Sequence, residues 1–135
     1  MDLGLAGRRP LVTGGARGIG RAIALGLADE GCAVAICSRT AAEVERTLEE
    51  LRTRGATAHG RALDVTDAAA LAAFVDAAGE ALGGLNLLDA CAGGLAGGPR
   101  LETLEAQDWR FTFDLNVTHP AIAARGEALD GPAAA

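Results

Sequence analysis

Eight residues, Thr13-Gly14-Gly15-Ala16-Arg17-Gly18-Ile19-Gly20, directly follow the apolar run Pro10-Leu11-Val12 and restrict the fold more than any other stretch of the chain. Glycine at 14 lets the backbone leave a strand sharply, glycine at 18 lets it approach a phosphate, and glycine at 20 lets the following helix press on the strand. A helix starting here offers unpaired N–H groups and the positive end of its dipole to an anion. In a chain with 19 glycines among 135 residues, three at fixed offsets carry little weight alone. The context carries the argument: a strand before, a helix after, and a second strand ending near residue 38. Together they predict a cradle for the pyrophosphate of a dinucleotide.

The rest of the chain alternates between strand-like and helix-like patterns. A short apolar strand is expected at 9–14, and a helix at 18–31 carries Ile19, Ala22, Ile23, Leu25 and Leu27 at helical spacing. The nearly continuous apolar run 32–37 suits a parallel strand covered on both faces. Thr40 is the expected cap of a helix to Arg54, with Val44, Leu48 and Leu51 on one stripe and Glu43, Glu45, Glu49 and Glu50 on a solvated face. After Gly55 come a third strand (56–65), a helix through Leu71, Phe74, Val75 and Leu82, and a fourth strand (85–91) interrupted by Asp89. A loop at 92–99 holds four glycines, and residues from Leu101 onward read as helix. Strands alternating with helices imply right-handed βαβ units. The expected fold class is therefore α/β, a Rossmann-like doubly wound parallel sheet of about four strands in the order 3-2-1-4, with strand four as an exposed edge. One domain is expected over residues 1–125, and the Pro/Ala-rich residues 126–135 read as a frayed tail.

Composition narrows the partners. The net charge is −6, and all 12 basic residues are scattered arginines, which argues against nucleic-acid and anionic-membrane binding. The N-terminus lacks the pattern of a signal peptide, and no apolar stretch reaches membrane-spanning length, so a cytoplasmic protein is expected. Cys32, Cys37 and Cys91 fall in predicted strands without metal-ligand spacing and are expected to be buried free thiols; no metal site is expected.

Thr13, Gly14, Gly18 and Gly20 match the T-G-x-x-x-G-x-G cradle of the short-chain dehydrogenase/reductase family, which the chain resembles from residue 7 to about residue 125. That stretch corresponds to the N-terminal, cofactor-binding half of a usual member. The resemblance implies cradle contacts from Thr13, Gly14, Arg17, Gly18, Ile19 and Gly20, and an adenine contact at Asp64 and Val65. It also places the family's structural and catalytic asparagine at Asn116, within Asp114-Leu115-Asn116-Val117. Two positions depart from the pattern. Cys91 stands where the family has an amide that ties the central strands, and Asp89 fills a normally apolar position, so both should weaken local packing.

Strand two ends in Cys37-Ser38-Arg39, with no carboxylate to accept ribose hydroxyls. Ser38 and Arg39, with Arg17 from the cradle, suit the additional phosphate of NADP, which is expected in preference to NAD. The family reaction is hydride transfer between NADP(H) and a carbonyl or alcohol, and it implies a tyrosine, a lysine and a serine beside the asparagine. This chain has no tyrosine and no lysine, and its only serine is Ser38. The polypeptide reads as a truncated member, inactive alone. The alternatives are a non-catalytic interaction protein or one half of a split reductase. Association with a copy or a partner chain would use the exposed strand edge and the helix at 109–124. His59 and His119 are expected as packing or surface residues, with no role as acid or base.

Overall fold

The computed structural model describes residues 1–126; the residues expected as a tail beyond that point, 127–135, lie outside the described residues. The chain alternates β1 (Pro10–Thr13), α1 (Gly18–Asp29), β2 (Val34–Ser38), α2 (Ala41–Thr53), β3 (Ala58–Ala62), α3 (Ala68–Leu82) and β4 (Leu87–Ala90). A 3₁₀ turn (Leu101–Thr103) precedes α4 (Ala106–Phe113), which continues through a π-helical segment (Asp114–Thr118) into α5 (His119–Ala124). The four strands are parallel and ordered β3-β2-β1-β4, as the pattern predicts.

Every residue of β1 is buried, as are the first four of β2, which is why these segments read as unbroken apolar runs. Alternation along each strand divides their side chains between two layers. Val12 and Ile36 pack with Val44, Leu48 and Leu51 of α2 and with Ala24 and Leu25 of α1. Leu11, Ala35 and Cys37 pack on the opposite face with Leu71, Phe74 and Val75 of α3 and Ala123 of α5. β3 and β4 flank this pair and are only partly buried. Asp89 is half-buried in β4, the outermost of the described strands on that side of the sheet.

Several local readings need correction. Only Cys37 lies within a strand, because Cys32 precedes β2 and Cys91 follows β4; Cys32 and Cys37 are buried free thiols, whereas Cys91 is only partly buried. The helical stretch after Leu101 is broken, since α4 starts anew where Asp108 Oδ2 accepts the Glu105 N–H at 2.9 Å. Thr40 occupies the cap position of α2 without using its hydroxyl there. Asp67 does cap α3, its Oδ1 accepting the Ala70 N–H at 3.0 Å. The π segment has a local cause: Asn116 Nδ2 donates to Thr112 O at 2.8 Å, a carbonyl that an α-helix would give to the backbone N–H of Asn116. Among the described residues, no helix is long and apolar enough to cross a membrane.

The two caps should separate in stability measurements. Asp67→Ala is expected to lower unfolding stability by about 1 kcal/mol and Thr40→Ala by less than about half of that, read from urea midpoints.

Candidate functional site

The turn between β1 and α1 is built from contacts that exclude side chains. Gly14 has φ +66°, and a Cβ there would lie 2.9 Å from Ala92 N. A Cβ at Gly20 would lie 2.2 Å from Gly14 O, so α1 rests directly on the turn that launches it. Gly15 is equally constrained, with Ile36 Cγ2 2.7 Å from its would-be Cβ, and its N–H bonds to Cys37 O at 3.2 Å. Sequence reasoning missed Gly15; its signal is the glycine doublet itself. At Gly18, φ is +56° and the space around a Cβ is open to 4 Å. Arg17 stands at the N-cap of α1 with no side-chain cap bond, and the first turn holds no acidic residue. The first N–H groups of this 12-residue helix are thus left without a side-chain acceptor.

A cleft of about 250 Å³ opens at the carboxyl ends of the strands. Gly14, Arg17, Ser38, Arg39, Asp64 and Val65 line one side, together with Leu63. The other side is formed by residues 91–94, Phe111 and Leu115, none of which sequence reasoning placed in a site. Thr13 and Gly20 are buried, Gly18 and Ile19 are exposed on the first turn of α1, and none of these four lines the cleft. Asn116 is likewise outside the lining but holds the wall in place: its Oδ1 accepts the Gly94 N–H at 3.1 Å and its Nδ2 donates to Gly94 O at 2.6 Å. Thr112 Oγ1 adds a bond from Ala96 N at 3.2 Å.

Charge in the cleft follows from these neighbours. Asp64 Oδ1 accepts the Thr66 N–H at 2.9 Å and the Thr66 hydroxyl at 2.7 Å. Those bonds, with a smaller contribution from Arg39, hold the Asp64 carboxyl below its ordinary range. Cys91 and Asp89, expected to loosen the strand independently, are paired: Cys91 Sγ donates to Asp89 Oδ1 at 3.0 Å. Burial and then the Asp89 carboxylate push the Cys91 thiol up to about 11, so it stays protonated at neutral pH. Burial pushes the Cys37 thiol up to about 12.

Both histidines are held in packed surroundings. His59 stacks on Phe74 with ring centroids 5.8 Å apart, and its Nε2 is buried without a partner. His119 is fully buried, with Nε2 3.0 Å from Thr13 Oγ1 and Nδ1 against Leu115 O. Burial lowers the pKa of both rings, and at His59 Arg61 and Arg52 add to the effect.

A strand–glycine turn–helix cradle opening on the strand ends of a parallel sheet defines a Rossmann-type nucleotide-binding protein. The family model for short chain dehydrogenases matches residues 9–127, and the chain belongs to that family. It is 38% identical over 118 residues to short chain dehydrogenase/reductase dpchG of Colletotrichum higginsianum, covering 87% of this chain and 44% of that protein. L-sorbose reductase from Gluconobacter frateurii, solved with NADPH and L-sorbose, superposes with a TM-score of 0.87 at 28% identity over 93% of this chain and 48% of that one. Carveol dehydrogenase from Mycobacterium avium, solved with NAD, gives a TM-score of 0.82 at 27% identity over 88% and 47%. The chain thus spans less than half the length of the relatives it matches.

The same helix offers a controlled test of the cradle. Gly20→Ala is expected to destabilise the fold by about 1–3 kcal/mol through overpacking. Gly26→Ala, in open space on α1, should stabilise it by about 0.5–1 kcal/mol. Denaturant midpoints of the two variants check both signs.

Proposed function

We propose that this chain is an NADP(H)-binding unit of the short-chain dehydrogenase/reductase family. The observation that carries this reading is the meeting of Ser38, Arg39 and Arg17 in one cleft, with no carboxylate at the end of β2. The guanidinium forks grip a phosphate on the adenosine ribose, and the Ser38 hydroxyl donates to it. The bare N-terminus of α1 and the open approach at Gly18 suit the pyrophosphate. Asp64 and Val65, which line the same cleft, would meet the adenine. The NADPH found with L-sorbose reductase supports this choice, whereas the NAD of carveol dehydrogenase makes the cofactor worth testing directly.

When bound, the nicotinamide nucleotide supplies or accepts a hydride at a carbonyl or alcohol carbon. A carbonyl reduced in this way becomes an alkoxide that needs a proton donor matched to neutral pH. The family's tyrosine and lysine have no counterpart in this sequence, and Ser38 is committed to the nucleotide end of the cleft. On this reading the groups that bind the cofactor lie within these 135 residues, which hold no tyrosine or lysine to serve as that donor.

A second reading, association with a copy or with a chain that completes the catalytic group, is favoured by two exposed features. Trp109, Phe113 and Val117 follow one another at four-residue spacing and are 43%, 56% and 56% exposed. β4 also borders the sheet with its outer backbone groups unpaired by any described strand. Size-exclusion chromatography with light scattering reads this association directly, and a monomer at all concentrations counts against it.

Calorimetric titration is expected to show saturable NADPH binding at least about tenfold tighter than NADH, with Arg39→Asp moving the preference toward NADH. Equal loss of both nucleotides in the variant, or an unchanged ratio, overturns the NADP reading. Ketone-dependent NADPH oxidation by the isolated polypeptide should stay at the background rate; robust turnover contradicts the proposal.

A further inference from the structure

The Thr13 side chain is fully buried where three elements meet: the end of β1, the segment leaving β4, and α5. Its Oγ1 accepts the Ala92 N–H at 3.2 Å and lies 3.0 Å from His119 Nε2. Leu115 O faces His119 Nδ1 and can only accept, so Nδ1 carries the ring proton. In the neutral ring Nε2 is then the acceptor, and the Thr13 hydroxyl donates to it. The hydrogen bonds thus run one way, from Ala92 N–H to the Thr13 oxygen, and from the Thr13 hydroxyl to His119.

We propose that His119 is a positioning residue of the cleft: as neutral imidazole it aims the Thr13 hydroxyl and so holds the Ala92 end of the 92–94 wall, and its protonation releases that end and weakens nucleotide binding. This rests on the NADP-binding reading and adds a pH-dependent control of the same site. On protonation Nε2 becomes a donor, and the Thr13 hydroxyl loses the acceptor it points at. Among the described residues the new charge would also be buried without a counter-charge. On the elements packed around α5, the charged residues are Asp76 and Glu80 of α3, Asp89 of β4 and Asp114 of the π segment. Asp76 and Glu80 are exposed, Asp89 takes the Cys91 thiol, and Asp114 takes the Thr118 hydroxyl. Arg125, just after α5, is exposed. Burial outweighs the Leu115 carbonyl and lowers the pKa of His119 from its ordinary 6.5. The folded state therefore binds the ring proton less readily than the unfolded chain. The stabilisation is complete above pH 6.5 and is lost as pH falls through the folded value.

Ala92, Gly93 and Gly94 line the cleft, so a released wall removes part of the nucleotide site. The apparent dissociation constant then rises as the inverse of the fraction of chains with His119 neutral. The test is calorimetric titration with NADP⁺ from about pH 8 down to the pH at which NMR shows the His119 ring protonated in at least about two thirds of the chains, for the wild type and His119→Gln, whose amide oxygen keeps an acceptor that does not titrate. The ribose phosphate titrates in the same range in both proteins, so their difference isolates His119. The wild type is expected to lose affinity at least about threefold more than the variant. Coincident profiles in two folded proteins would overturn this proposal alone, whereas no NADP⁺ binding by folded wild type at about pH 8 would overturn the nucleotide reading and this proposal with it. NMR of the cofactor-free wild type supplies an arm that needs no variant. The Ala92 amide and the His119 ring should titrate with one midpoint, and an Ala92 signal that stays fixed while His119 titrates overturns the coupling.

Discussion

Nothing larger than hydrogen fits at position 20, because a Cβ there would overlap Gly14 O, and Cys91 Cβ closes the same space at 3.2 Å. The contact is backbone against backbone, so no rotamer change relieves a misfit as it would between side chains. It therefore fixes the axis of α1, the exit of β1 and the segment leaving β4 together. Ile36 completes the arrangement by filling the place of a side chain at Gly15, which seats β2 against the same turn. The start of α1, the turn after β1 and the side chains at or just beyond the ends of β2 and β3 consequently open on one cleft.

The opposite wall needs separate support, since Ala92, Gly93 and Gly94 have little side chain with which to pack. Two hydrogen-bonding residues far from it in sequence supply that support. Thr13 holds Ala92 from below, while Asn116 holds both backbone groups of Gly94 from the helical side. The bond from Asn116 to Thr112 O explains why the helix leaves α geometry at this point, so the local irregularity and the wall share one cause. Asp89 and Cys91 contribute in the same region by satisfying each other, which limits the penalty of a polar pair in a half-buried strand.

The sequence revealed the central sheet because β1 and β2 are covered on both faces, so their burial requires continuous apolar runs that need no tertiary knowledge to read. The cradle was readable for a related reason: a close backbone approach demands glycine at fixed offsets. Ser38, Arg39 and Asp64 could be located because each lies at, or within two residues of, the end of a strand, even though β3 stops at Ala62, short of its expected end at 65. The far wall was not readable. Phe111 and Leu115 reach the cleft only through the packing of α4 and the π segment, and Asn116, though singled out by the resemblance, carries no sequence signal of its bonds to Gly94. His119 was the least accessible of all, because its partner Thr13 lies 106 positions away and neither residue carries a charge that would advertise the pairing. Cys91 and Asp89 were each visible as departures, but sequence reasoning did not join them as the bonded pair they form.

On the NADP reading, selectivity has a local electrostatic origin despite the net charge of −6. Charges more than about 8 Å away are largely screened at physiological ionic strength, so the side chains that line the cleft dominate its field. Arg17 and Arg39 are close enough to matter, and both are exposed, which makes their grip on a phosphate sensitive to salt. Asp64 takes its hydrogen bonds from Thr66, through the backbone N–H and the hydroxyl, and forms no ion pair with Arg39. The guanidinium at the end of β2 is therefore not tied to the acid beyond β3. A phosphate bearing about −1.5 to −2 charges gains more from that guanidinium than a neutral ribose hydroxyl does.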